Sequence, residues 1–208
     1  YLISQAVTGY NPAVGAGTKI FADYDPDWET EENYMTVYDM AYAQELAKKA
    51  GYNGEPIKII AMNDEDIRNM ATICKALLDA AGFNVELQIG DLNSIQTLSY
   101  QETGWDFYLM YCASGGFCIS LDQAFFDNRI YGDGMTLGNF VDPELQASYE
   151  LCNTMEGNTK ENMDALRAIW IGKGYIDPLL VNVNYSVYSN ILTEPCYDNN
   201  LNFVPGGS

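Results

Sequence analysis

The sequence contains no histidine, and its 208 residues include only 10 lysines and arginines against 29 aspartates and glutamates. Without histidine, catalytic sites of the Ser/His/Asp and Cys/His type and imidazole metal ligands are excluded. The formal net charge of −19 argues against nucleic acid as a partner, because such binding needs a basic surface that displaces counterions from phosphates. The same charge disfavours binding to anionic membrane surfaces.

Long hydrophobic runs and paired cysteine motifs are also missing. No stretch approaches the roughly 18 apolar residues of a membrane-spanning helix, and no charged-then-apolar leader precedes Tyr1. The sequence opens without Met and closes on Gly206-Gly207-Ser208, so we expect either a piece trimmed from a longer chain or a mature processed chain. None of the cysteines has the C-x-x-C spacing of zinc or redox sites; they are Cys74, Cys112, Cys118, Cys152 and Cys196. Cys112 and Cys118 either form a disulfide in an extracellular protein or remain two buried thiols.

The composition is that of a globular protein, with 48% hydrophobic and 19% charged residues. A chain of 23.2 kDa can bury about 70% of its unfolded surface. Its length predicts a single domain over residues 1–208, in which residues 1–35 form an irregular N-terminal segment. The 16 tyrosines suit a binding surface and are equally common as half-buried surface residues.

Helical and strand periods alternate along the chain. Helices are predicted over residues 36–50, 65–81, 92–103, 143–152 and 160–172, and strands over residues 57–62, 85–89, 107–111 and 179–188. Gly51 and Gly82 stand where glycines end helices, and Asp64 can cap the second helix. This alternation predicts an α/β fold with a mixed, mostly parallel sheet flanked by helices, in which ligands lie at the carboxyl ends of strands.

The most suggestive segment for a site follows the third predicted strand. Gly115 and Gly116 let the backbone approach a ligand, while Tyr111, Ser114 and Phe117 supply two rings and a hydroxyl. A simple strand-to-helix turn explains the same residues, and the spacing leaves both interpretations open.

Other chemical motifs give little support for an enzyme. The acidic run over residues 23–29 fails the test for a calcium loop, because Trp28 replaces the turn glycine and Tyr34 replaces the bidentate glutamate. Serine-hydrolase, Walker A and dinucleotide motifs are absent. No spacing selects two carboxylates for acid/base hydrolysis. We therefore expect no catalytic residues, no metal site and no cofactor.

Five segments, in order, resemble elements of the family 5 extracellular solute-binding proteins, the peptide- and nickel-type receptors of ABC importers. Residues 38–52 (YDMAYAQELAKKAGY) resemble the family's Y-(N/D)-x-x-x-A-x-x-L-L-x-x-A-G-Y element, and residues 73–88 resemble its helix ending in L-x-x-x-G-I-x-V-E-L. The other three segments are residues 104–111 (GWDFYLMY), 139–145 (NFVDPEL) and 176–181 (IDPLLV). The resemblance covers about residues 38–188.

The resemblance implies the later lobe of a two-lobed receptor with a type II periplasmic-binding-protein-like fold. Such a receptor catalyses nothing; it holds a small solute, an oligopeptide or another oligomer, between its lobes and delivers it to an ABC permease in the membrane. We expect a monomer located outside the cell, as a periplasmic protein or a membrane-anchored lipoprotein. The residues expected to face the cleft are Tyr111, Ser114, Gly115, Gly116 and Phe117, with Asn139 nearby.

One position departs from the family pattern. Peptide-binding members carry an aspartate that neutralises the peptide's amino terminus, whereas Ser114 stands there in this sequence. A hydroxyl cannot offset a buried ammonium, whose unpaired burial costs several kcal/mol. Ser114 therefore favours a neutral ligand such as an oligosaccharide, or a peptide held differently. Two other functions stay open: an extracellular interaction or adhesion module, and a glycan-active hydrolase with two carboxyls about 5–10 Å apart.

Overall fold

The computed structural model describes residues 10–12, 26, 39–111, 142–175, 177, 179–182, 196–197 and 203–204. In chain order its elements are β1 (Tyr10–Pro12), α1 (Met40–Lys49), β2 (Pro56–Met62), α2 (Glu65–Ala80), β3 (Asn84–Gly90), α3 (Leu92–Ser99), β4 (Phe107–Leu109), α4 (Pro143–Cys152), α5 (Lys160–Lys173), β5 (Leu180–Asn182), β6 (Cys196–Tyr197) and β7 (Phe203–Val204). Among these helices, none has the length and apolar character that a membrane span needs.

A parallel sheet with strand order β3-β2-β4 forms the centre of the fold. Its register pairs Ile57 with Val85 and Ala61 with Leu109. Two short antiparallel pairs accompany it, β1 with β5 and β6 with β7. The predicted α/β fold with a mixed, mostly parallel sheet is therefore confirmed.

The core is built around β2, the middle strand. Ile59, Ile60 and Ala61 are all buried, and because successive side chains of a strand point to opposite faces, both faces of β2 are covered here. On one face Ala61 packs with three residues of α2, Ile67, Met70 and Ala71. Half-buried side chains from three strands pack against this cluster: Leu87, Ile89, Leu109 and Leu180. The core thus joins β5 to the parallel sheet.

The short strand β4 is attached to β2 through Asp106, the residue before it. The Asp106 carboxylate accepts a hydrogen bond from Lys58 N at 2.7 Å, and Asp106 N donates to Lys58 O at 2.9 Å. The side chain therefore adds one more bond at the point where the ladder begins, which fixes the register of a strand of only three residues.

α1 and α2 end in the same way, each on a glycine with positive φ. Gly51 has φ 78° and Gly82 has φ 93°, in the left-handed region that favours glycine. In each case the amides of the glycine and of the next residue bond to carbonyls of the last turn, as in a Schellman motif. The next residues are Tyr52 and Phe83, whose ring centroids lie 5.3 Å apart. Both predicted helix-ending glycines are confirmed.

The helices α4 and α5 pack against each other and carry a second set of buried, mostly apolar residues. Its buried members are Leu145, Tyr149, Cys152, Met163 and Leu166. Two short hydrogen bonds tie the ends of this helix pair together: Asp142, the residue that caps α4, accepts from Lys173 Nζ at 2.7 Å and from Tyr175 Oη at 2.6 Å. These bonds join the start of α4 to the end of α5.

The same carboxylate accepts hydrogen bonds from Glu144 N and Leu145 N. Burial raises the pKa of Asp142, but the bonds from Lys173, Tyr175 and the two backbone amides outweigh it and lower the pKa to about 2. The bonds to Asp142 and Glu144 raise the pKa of Lys173. Both shifts favour the charged pair, so the cluster is ionic at neutral pH.

Several predicted bounds differ from those of the structure. The first helix begins at Met40 rather than residue 36, because Asp39 accepts a hydrogen bond from Tyr42 N and caps it there. The helix α3 ends at Ser99 rather than near residue 103. A short strand, β1, lies within the segment that was expected to be irregular, and of the predicted strand over residues 179–188 only the part to Asn182 lies within the described residues.

Candidate functional site

The three parallel strands end at the same edge of the sheet, which we call the carboxyl edge. It consists of the residues that follow each strand: Asn63 and Asp64 after β2, Asp91 after β3, and Met110 and Tyr111 after β4. In open α/β sheets, ligands bind outside this edge. The carboxyl edge is therefore the first place to examine for a site.

Asp64 begins the helix α2 at this edge. It has extended backbone angles, and its Oδ1 accepts hydrogen bonds from Asp66 N at 3.1 Å and Ile67 N at 3.2 Å. Aspartate is among the preferred residues at this position because it satisfies amides that have no partner within the helix. The predicted cap is confirmed, and it holds a carboxylate in a fixed place beside the end of β2.

Tyr111 reaches the same carboxylate from the end of β4. Its hydroxyl donates a hydrogen bond to Asp64 Oδ1 at 3.1 Å, between residues 47 positions apart in the chain. The side chain remains 39% exposed. The bond therefore joins the ends of β2 and β4 and leaves much of the tyrosine open to a ligand.

A cation lies beside this pair. Arg68 Nη1 donates to Asn63 Oδ1 at 3.0 Å, and Asn63 N donates to Gly90 O at 2.8 Å. Arg68 is exposed. The ends of β2 and β3 are thus joined through Asn63, and the carboxyl edge presents a guanidinium as well as carboxylates.

Asp91 caps α3 through bonds to a residue of that same helix. Its carboxylate accepts from Ser94 N at 3.0 Å and from Ser94 Oγ at 2.6 Å. These bonds from Ser94, the side-chain bond most of all, lower the pKa of Asp91. Asp91 is therefore charged at neutral pH, and both of these bonds stay within its own helix.

Of the predicted site residues, the structure places Tyr111 at the carboxyl edge. Ser114, Gly115, Gly116, Phe117 and Asn139 lie outside the described residues, as do Cys112 and Cys118. Asp64 and Arg68 were not predicted as site residues. Asp64 carried a usable signal, because a polar residue directly after a buried parallel strand lies at the edge where ligands bind.

A separate groove of about 460 Å³ lies at the opposite edge of the sheet. Its walls include Gln44 and Lys48 of α1 together with Tyr52, Gly82 and Phe83 from the two helix ends. Gln44 Nε2 donates to Ala81 O at 2.9 Å across it. The groove is wide and shallow, and it lies where the strands begin, so the rule for parallel sheets does not favour it as the ligand site.

The remaining chemistry of the described residues is limited. Cys74 is a free thiol, and no group of three or more cysteine, aspartate and glutamate side chains in the described ranges is arranged to hold a metal ion. What the carboxyl edge offers is an aromatic ring, hydrogen-bond donors and acceptors, and charges of both signs. Such a set suits noncovalent binding of a polar solute.

A family model covers more than half of the chain. The model described as bacterial extracellular solute-binding proteins, family 5 Middle, matches residues 2–128. No curated protein matches the sequence.

Solved structures resemble the fold over most of the chain. An ABC transporter substrate-binding protein, CtaP, from Listeria monocytogenes has a TM-score of 0.70 at 16% identity, over 87% of this chain and 37% of that one. A dipeptide-binding protein from Pseudoalteromonas sp. SM9913, in complex with Met-Leu, has a TM-score of 0.68 at 21% identity, over 87% and 37%. The periplasmic binding protein DppA from Helicobacter pylori, in complex with the peptide STSA, has a TM-score of 0.64 at 14% identity, over 83% and 33%.

These likenesses show the fold, part of a type II periplasmic binding protein. The chain spans about a third of the length of the structures that it matches.

Proposed function

The chain belongs to the bacterial extracellular solute-binding proteins of family 5, and from this we propose that it is one lobe of the receptor of an ABC importer. The receptor captures a small solute, an oligopeptide or another oligomer, in a cleft between two lobes and delivers it to a membrane permease. It acts as a monomer outside the cytoplasmic membrane, either periplasmic or anchored as a lipoprotein, and it catalyses no reaction.

The observation that carries this proposal is the position of Tyr111. The family match gives the class of protein, and Tyr111 is a half-exposed aromatic side chain at the carboxyl end of a parallel strand. The residues that follow it, Ser114 to Phe117, continue directly from this edge in the sequence. We therefore propose that the ligand lies against the carboxyl edge, with Ser114, Gly115, Gly116 and Phe117 around it and Asn139 nearby.

Ser114 bears on the class of ligand. Two of the similar structures hold peptides, Met-Leu and STSA, and a peptide brings a charged amino terminus into the cleft. With serine at this position, no carboxylate from residue 114 neutralises that charge. We infer that the ligand is either an uncharged oligomer or a peptide held differently, with its amino terminus in solvent.

The test is calorimetric titration of the full-length receptor with three matched sets of ligands: free peptides, the same peptides acetylated at the amino terminus, and neutral oligosaccharides. We expect acetylation to change the affinity by less than about threefold, because residue 114 makes no ion pair to lose. In the variant Ser114→Asp, free peptides should bind about tenfold more tightly than acetylated ones, the effect of one new charge-assisted hydrogen bond.

Two results would contradict these inferences. A strong preference of the native receptor for the free amine would refute the role assigned to Ser114. The absence of binding to every peptide and oligosaccharide would refute the proposed function. Ser114→Thr is the control, since it keeps the hydroxyl and adds no charge.

A further inference from the structure

Two aspartates at the carboxyl edge cap helices, but their hydrogen bonds differ. Asp64 accepts from two amides of α2 and also from the hydroxyl of Tyr111. Asp91 accepts from the amide and hydroxyl of Ser94, within α3. Helix capping accounts for both aspartates, but it does not account for the bond from Tyr111.

The acceptor for Tyr111 is held rigidly. Asp64 Oδ1 is fixed by the first turn of α2, and that helix is anchored in the core by the buried side chains of Ile67, Met70 and Ala71. Tyr111 itself lies beyond the last residue of β4, where the ladder with β2 has already ended at Leu109. The bond to Asp64 therefore ties the phenol of Tyr111 to a helix, at a point where the ladder between β2 and β4 no longer continues.

We propose that Asp64 is a positioning residue for ligand binding, which holds the phenol of Tyr111 so that its ring faces the cleft in one orientation. This inference rests on the proposed function. If Tyr111 without this bond spends only a third to a tenth of its time in the orientation that binds, the affinity falls by about three- to tenfold. The loss comes from the population of ring orientations, and Asp64 makes no contact with the ligand in this scheme.

The experiment compares Tyr111→Phe, Asp64→Ala and the double variant in the full-length receptor, by titration with Met-Leu and with the peptide Ser-Thr-Ser-Ala. We expect each single variant to lose three- to tenfold in affinity and the double variant to lose no more than either one. The matched control is Asp39→Ala, which removes the aspartate cap of α1, the helix that lines the groove at the opposite edge, and should keep its affinity within about twofold. Tyr111→Phe leaves the cap of α2 in place, so it remains informative if Asp64→Ala is unstable.

A second readout needs no ligand. With 3-fluorotyrosine at position 111, the fluorine resonance reports the environment and motion of the ring. We expect Asp64→Ala to shift this resonance and narrow its line, because the ring is released, and Asp91→Ala to leave it unchanged.

The outcomes separate the two proposals. The positioning role would be overturned if the losses of affinity were additive in the double variant, or if Asp64→Ala left the fluorine resonance unchanged. If neither peptide binds the native receptor, that result counts against these two ligands and the calorimetric ligand series decides the proposed function, while the fluorine resonance alone decides whether Asp64 positions Tyr111.

Discussion

Replacing Asp142 with alanine tests how much the ionic cluster that joins α4 to α5 contributes to stability. Asp142 is 9% exposed, and its carboxylate accepts from two backbone amides, from Lys173 and from Tyr175. Alanine removes all four bonds at once. We therefore expect a loss of stability larger than that of an ordinary helix cap.

The size of the loss follows from these contacts. Loss of an aspartate cap lowers the free energy of unfolding by about 1 kcal/mol. A hydrogen bond to a charged group contributes about 1.5 kcal/mol or more when its partner is shielded from solvent. Lys173 keeps a second carboxylate, Glu144, at 2.7 Å and is partly exposed, so much of its charge remains compensated. The total for Asp142→Ala is then about 2–3 kcal/mol.

The assay is urea unfolding at pH 7, with two controls. Asp142→Asn keeps the cap and the shape but loses the charge, and should lose about half as much stability. Asp91→Ala removes a cap whose bonds from Ser94 stay within α3, and its loss of stability should be clearly smaller. An Asp142→Ala variant no less stable than Asp91→Ala would refute the reasoning.

The cluster also gives a pH dependence whose sign is fixed. The pKa of Asp142 in the folded chain is about 2, below its ordinary value, so the folded state binds this proton less readily than the unfolded chain does. The stabilisation is present above about pH 4 and is lost as the pH falls through about 2. The difference in stability between native protein and Asp142→Asn should therefore shrink over this range.

Two further predictions concern single residues. Gly82→Ala should destabilise the chain by about 1 kcal/mol in the same unfolding assay, because φ 93° is unfavourable for alanine; an unchanged midpoint would show that the helix end relaxes freely. Burial, with a smaller contribution from the charge of Asp177, raises the pKa of Cys74 to about 11, so alkylation by iodoacetamide at pH 8 should be about 100-fold slower than for an ordinary thiol. Peptide mass spectrometry measures this rate, and alkylation as fast as that of glutathione would contradict it.

Local features of the fold could be predicted from the sequence. Asp64, Gly51 and Gly82 act through bonds to residues only a few positions away, so their roles are visible in a short window. The alternation of helices and strands between α1 and β4 likewise depends on nearby apolar spacing. These signals were enough for the fold class.

The remaining features depend on residues distant in sequence. The pairing of β1 with β5 joins Tyr10 to Asn182, and no local pattern selects that partner. The apolar run after Asp106 continues to Tyr111, but the ladder with β2 ends at Leu109, so the strand is shorter than its sequence indicates. The bond between Tyr111 and Asp64 needs the parallel register of β2 and β4, which is why Asp64 could be predicted as a cap and not as part of the candidate site.

The attachment of β4 has a consequence for how the sheet forms and opens. β2 and β3 share a seven-residue ladder, and α2 lies between them in the sequence. By contrast, β4 pairs with β2 through only three residues and the bonds of Asp106, which lies 48 positions from its partner Lys58. Longer loops close at a higher entropic cost, so β2, α2 and β3 can fold as one unit before β4 docks. In native-state hydrogen exchange, the amides of β4 should then open at lower free energy than those of β3. A ligand held against Tyr111, as proposed above, would slow exchange in β4 first, so the exchange rates of this one strand would report ligand binding.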